Sequence, residues 1–273
     1  MKGGLYMRRA LSHGLEIAFD DTGQGEPAVV LIHGAFANRS HFAPMVADLA
    51  ERHRVIALDL RGHGESDVPA EGFSARDFAQ DVIGVCETAR VERAVLCGHS
   101  VLGGGIALEV AATRPDLVAG VALLDAGVLF PEAIRARALG LVPALSTDRW
   151  ADALRGYFGR LFGPYDPPAV KDRIFAEIGT APRQMAAPLW ADLMASDYAA
   201  QLASGHYPLM YVGAAAPTDL VRLQQLRPDA IIASVAGSGH FLHLVVPGQV
   251  TAMLDRFLAI LPLTVLAASG ERA

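Results

Sequence analysis

Between residues 28 and 124 the chain alternates unbroken apolar runs with segments of helical pattern, and this alternation restricts its fold most. The runs cover 28–33, 55–60, 94–97 and 118–124, each rich in β-branched or aliphatic residues. A strand with one wet face alternates apolar and polar residues, whereas unbroken runs suit strands covered on both faces. Helical patterns at 40–52, 74–89 and 101–114 lie between them. Ser74 followed by Asp77 has capping-box spacing, and Pro115 is placed to end the third helix. The expectation is an α/β protein with a mostly parallel sheet flanked by helices. A hairpin over 8–20, turning at Ser12-His13-Gly14, precedes these elements. Strand-like runs resume at 209–212 and 230–235, followed by a helix near 250–261.

From about residue 127 to 205 the strand-like runs vanish. Helical stretches there carry Trp150, Tyr157, Phe158, Trp190 and Tyr198 and are punctuated by prolines. This reads as one core, 1–127 plus 206–273, with a helical cap, 128–205, inserted after the sixth strand. Residues 269–273 are expected to fray.

The 273 residues allow one large domain or two small ones. At 52% hydrophobic and 19% charged, the chain can bury a large core. Its 23 basic against 29 acidic residues give a net charge of −6, without the basic footprint of a nucleic-acid binder. No apolar run reaches the roughly 18 residues that suggest a membrane span, and the longest, 258–268, is interrupted by Pro262. Arg8 and Arg9 are followed by no apolar segment of a secretory signal, and Met7 is an alternative start. Cys86 and Cys97 match neither a disulfide framework nor a metal spacing. The expectations are a soluble, cytoplasmic monomer or homodimer with no metal, no cofactor and no membrane partner. Gly103-Gly104-Gly105 lacks the pattern of a dinucleotide fingerprint, and Cys97, at a buried strand end, reads as inert filling.

The segment most informative about chemistry is Ala94-Val95-Leu96-Cys97-Gly98-His99-Ser100, which runs straight into a helical pattern. Such a strand–turn–helix can hold Ser100 in a strained conformation with its hydroxyl clear of the sheet. The free amides of the new helix favour negative charge at the same place. A hydroxyl is a weak nucleophile until a base takes its proton. His240, in the glycine-flanked stretch Gly237-Ser238-Gly239-His240-Phe241 after the last strand, is the candidate base.

Four segments together make the chain resemble the α/β-hydrolase superfamily: Leu31-Ile32-His33-Gly34-Ala35-Phe36, Asp59-Leu60-Arg61-Gly62-His63-Gly64-Glu65-Ser66, the Gly98-His99-Ser100 elbow, and Gly237 to Phe241. The resemblance covers most of residues 10–262 except the insertion. It implies an eight-stranded, mostly parallel sheet with a helical cap after strand six. It also implies a Ser, acid, His order, with Ser100 as nucleophile and His240 as base. The elbow departs from the family at Leu102, where members usually carry glycine; here Gly103 follows instead. Leu102 therefore either shifts the helix or walls the pocket.

The resemblance leaves two sites for the acid. Members usually place it about three residues beyond the glycine that ends strand seven. Here Ala216 stands at that place, and Asp219 lies six residues beyond Gly213. Haloalkane dehalogenases and a fungal zearalenone-opening lactonase use the end of strand six instead, where this chain has Asp125. The stretch from Val212 to Asp219 is similar to that lactonase as well. Asp125 is the first choice and Asp219 the alternative. The oxyanion hole is expected from the amides of Ala35 and Val101. Phe36, Leu102, Trp190 and Met194 are candidate pocket residues, and the mainly apolar cap suggests a small hydrophobic substrate.

The implied activity is a serine hydrolase acting on a small hydrophobic carboxylic ester or lactone through an acyl-enzyme. Ser100 at the elbow argues against dehalogenases and epoxide hydrolases, which attack through Asp. A carbon–carbon bond hydrolase, a thioesterase and a cofactor-free oxygenase or lyase use the same scaffold. A ligand sensor is the reading from another class, since some receptors and stress regulators of this fold carry a Gly-His-Ser-Val elbow similar to residues 98–101.

Overall fold

The computed structural model describes residues 7–216 and 218–268, with side chains described up to Leu261. Eight strands form one sheet: β1 (Met7–Ser12), β2 (Leu15–Thr22), β3 (Ala28–Ile32), β4 (Val55–Leu58), β5 (Ala94–His99), β6 (Val118–Leu124), β7 (Leu209–Gly213) and β8 (Ile231–Ser234). Their order is β1-β2-β4-β3-β5-β6-β7-β8. β2 runs antiparallel to β1 and β4, and every other pairing is parallel. The chain thus has the α/β-hydrolase fold expected from its sequence, with helices inserted between β6 and β7.

The unbroken apolar runs divide between the two faces as expected of a doubly covered sheet. In β3, Ala28, Val30 and Ile32 enter one core cluster while Val29 and Leu31 enter the other. The second face is covered by α1 (Ala43–Leu49) and α12 (Pro247–Ala268). Gly120 admits α12 closely, because a Cβ there would stand 3.1–3.2 Å from Leu261 and Phe257. The first face is covered by α2 (Ala75–Ala89) and α3 (Ser100–Thr113). Ser74 and Asp77 do form the capping box that starts α2.

Between β6 and β7 come α4 (Glu132–Leu139), α5 (Val142–Leu145), α6 (Trp150–Phe158), α7 (Pro168–Thr180), α8 (Arg183–Ala195) and α9 (Ala199–Ser204). α9 lies on α3, where the Tyr198 ring fills the space beside Gly105. The Trp190 indole N–H donates to the Ala138 carbonyl at 2.8 Å and ties α8 to α4. Boundaries departed from the sequence reading where local signals compete. The helix expected from residue 40 begins as a 3-10 turn, Arg39–Phe42, and Pro44 sets the start of α1. The last helix begins earlier than expected, with Pro247 in its first turn, and continues to Ala268. Two short helices, α10 (Leu220–Leu226) and α11 (Leu242–Val245), were not foreseen. The fraying expected at 269–273 lies outside the described residues. Among the described residues, no helix is long and apolar enough to cross a membrane.

Candidate active site

Strand register assembles the site. Ile32 pairs with Gly98, His99 with Leu124, and Leu124 with Val212. The residues immediately beyond these pairs, in the loops after β3, β5, β6 and β7, therefore emerge side by side at the carboxyl ends of the parallel strands. In open α/β sheets ligands bind at that end. Three non-glycine residues there have left-handed backbones: Phe36 (φ 61°), Ser100 (φ 64°) and Asp125 (φ 44°). Strain of this kind, on the order of 1–3 kcal/mol per residue, clusters at functional sites.

Ser100 opens α3 directly after β5, and two glycines make its tight turn possible. A Cβ on Gly98 would come 2.1 Å from the Gly103 carbonyl oxygen, and one on Gly103 would come 2.4 Å from that of Ile32. Gly103 thus provides the close helix–strand approach usually expected one residue earlier. Leu102, a candidate pocket residue, is fully buried in the core and does not line the cavity beside Ser100. It points into the packing of α3 because the close contact has moved to its neighbour.

Ser100 Oγ lies 3.0 Å from His240 Nε2, and His240 Nδ1 lies 2.8 Å from Asp125 Oδ2. Asp125 is fully buried and accepts three backbone hydrogen bonds from the loop after β7: Ala214 and Ala215 amides on Oδ1, and Ala216 on Oδ2, at 2.6–2.9 Å. Burial pushes its carboxyl up, but the hydrogen bond and charge of His240 and these amides outweigh it and hold the group below the ordinary carboxylate range. Asp219 is elsewhere. Its side chain accepts from the Arg222 amide at 2.9 Å and caps α10. Of the two carboxylates left open by the sequence, the structure brings Asp125 to His240.

The other histidines near the site are buried and neutral in role. His33 and His63 each donate through Nδ1 to a carbonyl and accept an amide at Nε2, and burial lowers both to about 3. His99 donates through Nε2 to the His240 carbonyl at 3.0 Å, a contact that sequence alone did not reveal. Burial, then the nearby His240, pushes His99 well below the usual imidazole value. Cys97 is fully buried on the opposite face of β5, and burial raises its thiol beyond nucleophilic use.

A cavity of about 30 Å³ borders Ser100 and His240. Ala35, Val101, Trp190 and Met194 line it, as do Tyr157 and Leu161, which the sequence reading had not assigned. Phe36, another pocket candidate, does not line that cavity; its left-handed turn places the ring against His63 and Phe158. Val101 lies in the first turn of α3, where amides lack intrahelical partners. In the β3 loop the Phe36 amide is taken by His63 and the Ala37 amide by Gly34, while Ala35 faces the cavity. A groove of about 780 Å³ at the opposite end of the strands, beside Pro27, Arg93 and Ala119, is remote from this constellation.

Residues 29–253 match the Alpha/beta hydrolase family. The chain belongs to that family. It is 30% identical over 250 residues to a 2-(acetamidomethylene)succinate hydrolase from Mesorhizobium japonicum, covering 85% of this chain and 88% of the relative. Two solved structures are similar in fold. A thermophilic esterase from Thermogutta terrifontis gives a TM-score of 0.81 at 23% identity, covering 94% of this chain and 99% of that one. The enol-lactonase from Burkholderia xenovorans LB400 gives 0.81 at 23% identity, covering 92% and 100%.

Proposed function

We propose that this α/β hydrolase is a serine esterase or lactonase that cleaves a small uncharged substrate through an acyl-enzyme. The observation that carries this reading is the unbroken line Ser100 Oγ, His240 Nε2, His240 Nδ1, Asp125 Oδ2 at the floor of an apolar cavity. In the first step His240 takes the Ser100 proton as Oγ attacks the substrate carbonyl. Asp125 accepts from Nδ1–H, which fixes the tautomer and stabilises the imidazolium. The amides of Ala35 and Val101 receive the oxyanion, a donor of this type being typically worth roughly 3–4 kcal/mol. The imidazolium then protonates the leaving alkoxide, and a water activated by His240 releases the acid product.

The cavity wall supports an uncharged substrate. Among the described residues no Lys, Arg or Glu side chain lines it, and no Asp does. Arg160 and Arg137 act on the Tyr157 hydroxyl but are exposed to solvent. A carboxylate buried here would lose its hydration and gain no partner, which costs several kcal/mol. The name of the Mesorhizobium relative specifies a succinate, a dicarboxylate, and this wall offers no pair for one.

The test is intact-mass analysis after exposure to a fluorophosphonate, with a parallel series of neutral and carboxylated esters. One adduct on the wild type, absent from Ser100→Ala, with turnover confined to short neutral esters and lactones, is expected. A folded wild type that takes no adduct would sink the serine mechanism.

A further inference from the structure

The loop between α6 and α7 grips the segment that carries His240. The His240 amide donates to the Leu161 carbonyl at 2.9 Å. Asp166 bridges the two segments, with Oδ1 accepting from the Gly239 amide at 2.8 Å and Oδ2 from the Gly163 amide at 2.9 Å. The backbones approach so closely that a Cβ on Gly239 would lie 2.4 Å from Gly163 N and 2.5 Å from Leu161 O. The ring of Phe241, next after the histidine, stacks on Phe162 at 5.0 Å and Phe158 at 6.3 Å. On the other side His99 holds the His240 carbonyl. Ser100 and Asp125 have no such dependence, for the sheet ends and the β7 loop fix them.

The same cap loop also supplies Leu161 to the cavity wall. About 30 Å³ holds a water or two, since one water needs roughly 10–15 Å³ on this measure. An ester is larger than the cavity as it stands. Leu161 thus belongs to that wall and, through its carbonyl, holds His240.

We infer that Asp166 is a positioning residue that registers the cap to the histidine, so that the base is brought into line with Ser100 when the cap closes over substrate. The inference rests on reading Ser100 and His240 as nucleophile and base. Substrate entry loosens the Asp166–Gly239 and Leu161–His240 bonds, and closure remakes them. The base is therefore aligned only while the site is closed, around the acyl group and the one water that hydrolyses it.

Two substitutions test this from different directions. Asp166→Asn keeps the shape but sets an NH₂ against one of the two amide donors. Gly239→Ala forces a methyl into the seam. The first readout needs no activity: the far-downfield proton NMR line of the His240–Asp125 hydrogen bond, present in the wild type, should broaden or vanish in both variants while circular dichroism stays native. The second is inactivation by a short and a bulky fluorophosphonate, in which Oγ bonds phosphorus and fluoride leaves. The maximal inactivation rate should fall on the order of 10²-fold, the cost of a 1 Å misplacement, while the half-saturating concentration of the bulky reagent stays level or falls. A merely structural role would reduce the reactive fraction and leave the rate of the remainder intact. An unchanged NMR line, or unchanged maximal rates in folded Asp166→Asn and Gly239→Ala, would overturn the inference. An altered NMR line with no adduct on the wild type would uphold the positioning role and reject the serine mechanism alone.

Discussion

Asp125 reaches His240 from the end of β6 with a carboxylate already held by three amides of the loop beyond β7. Those three hydrogen bonds hold the carboxylate in place independently of its bond to the histidine. That preorganisation fixes Nδ1 as the protonated nitrogen of His240 and turns Nε2 toward Ser100 as acceptor.

Asp125→Asn should therefore lower kcat by roughly 10⁴-fold, since the wrong tautomer of His240 would face Ser100. It should also destabilise the fold by roughly 1–3 kcal/mol, because an amide NH₂ would meet buried amide donors that now lack an acceptor. Asp219→Asn should leave ester turnover within about threefold and weaken only the α10 cap, by about 1 kcal/mol or less. Steady-state kinetics with urea unfolding of both variants measures the difference; equal loss of kcat would contradict the pairing seen here.

Acid should unfold this protein early. His33 and His63 stay neutral in the folded state down to about 3, against 6.5 when unfolded, and burial pushes His99 and His243 in the same direction. Between 6.5 and about 3 the unfolded chain binds more protons than the folded one, so stability is full above 6.5 and drains as pH falls. Each such histidine contributes a slope of roughly 1.4 kcal/mol per pH unit in that window. Chemical unfolding at pH 7.5, 6 and 5 should show a steep loss, and a flat profile would mean these imidazoles are hydrated.

Gly103→Ala should be among the most damaging single changes, with no change of charge or polarity. Its methyl would enter within 2.4 Å of the Ile32 carbonyl oxygen, and backbone cannot yield there without moving the elbow. A loss of about 3 kcal/mol or more is expected, from overpacking at a site that has no flexible side chain to displace. Thermal unfolding reads it directly. Gly237→Ala, by contrast, has open space around it and only its left-handed backbone (φ 73°) against it. It should cost about 1–2 kcal/mol.

Met194→Ala should shift substrate preference toward longer acyl chains by enlarging the cavity beside Ser100. The change in kcat/KM between successive chain lengths should correspond to about 1 kcal/mol per methylene gained in the pocket. A uniform loss across all lengths would place Met194 in the cap's packing and not in substrate recognition.

Much of this was legible in the sequence because the decisive signals are local. The unbroken runs announced strands buried on both faces, and Gly98-His99-Ser100 followed by a helical pattern announced the turn that Ser100 occupies. Asp125 could be put ahead of Asp219 only through the family resemblance, because the decision depends on which strand end lies level with His240, a property of register across distant segments. Phe36 and Leu102 were placed on the pocket wall for nearness in sequence to the nucleophile and the oxyanion loop. Side-chain direction follows the backbone, and a left-handed Phe36 and a helical Leu102 both turn inward. Tyr157, Leu161 and Asp166 carry no motif; only the packing of the helices between β6 and β7 beside the site gives them neighbours worth naming.

The grip of Ala214, Ala215 and Ala216 on Asp125 has a consequence for anyone rebuilding the molecule. The loop beyond β7 is stitched to the end of β6 at the point where the chain leaves for the inserted helices, while its return, at Leu209, lies toward the other end of the sheet, level with Val121. The acid at that exit is held by three amides that lie outside the insertion. Grafted caps of other lengths can be tried at this position with the acid left in register, provided each brings its own latch for the histidine.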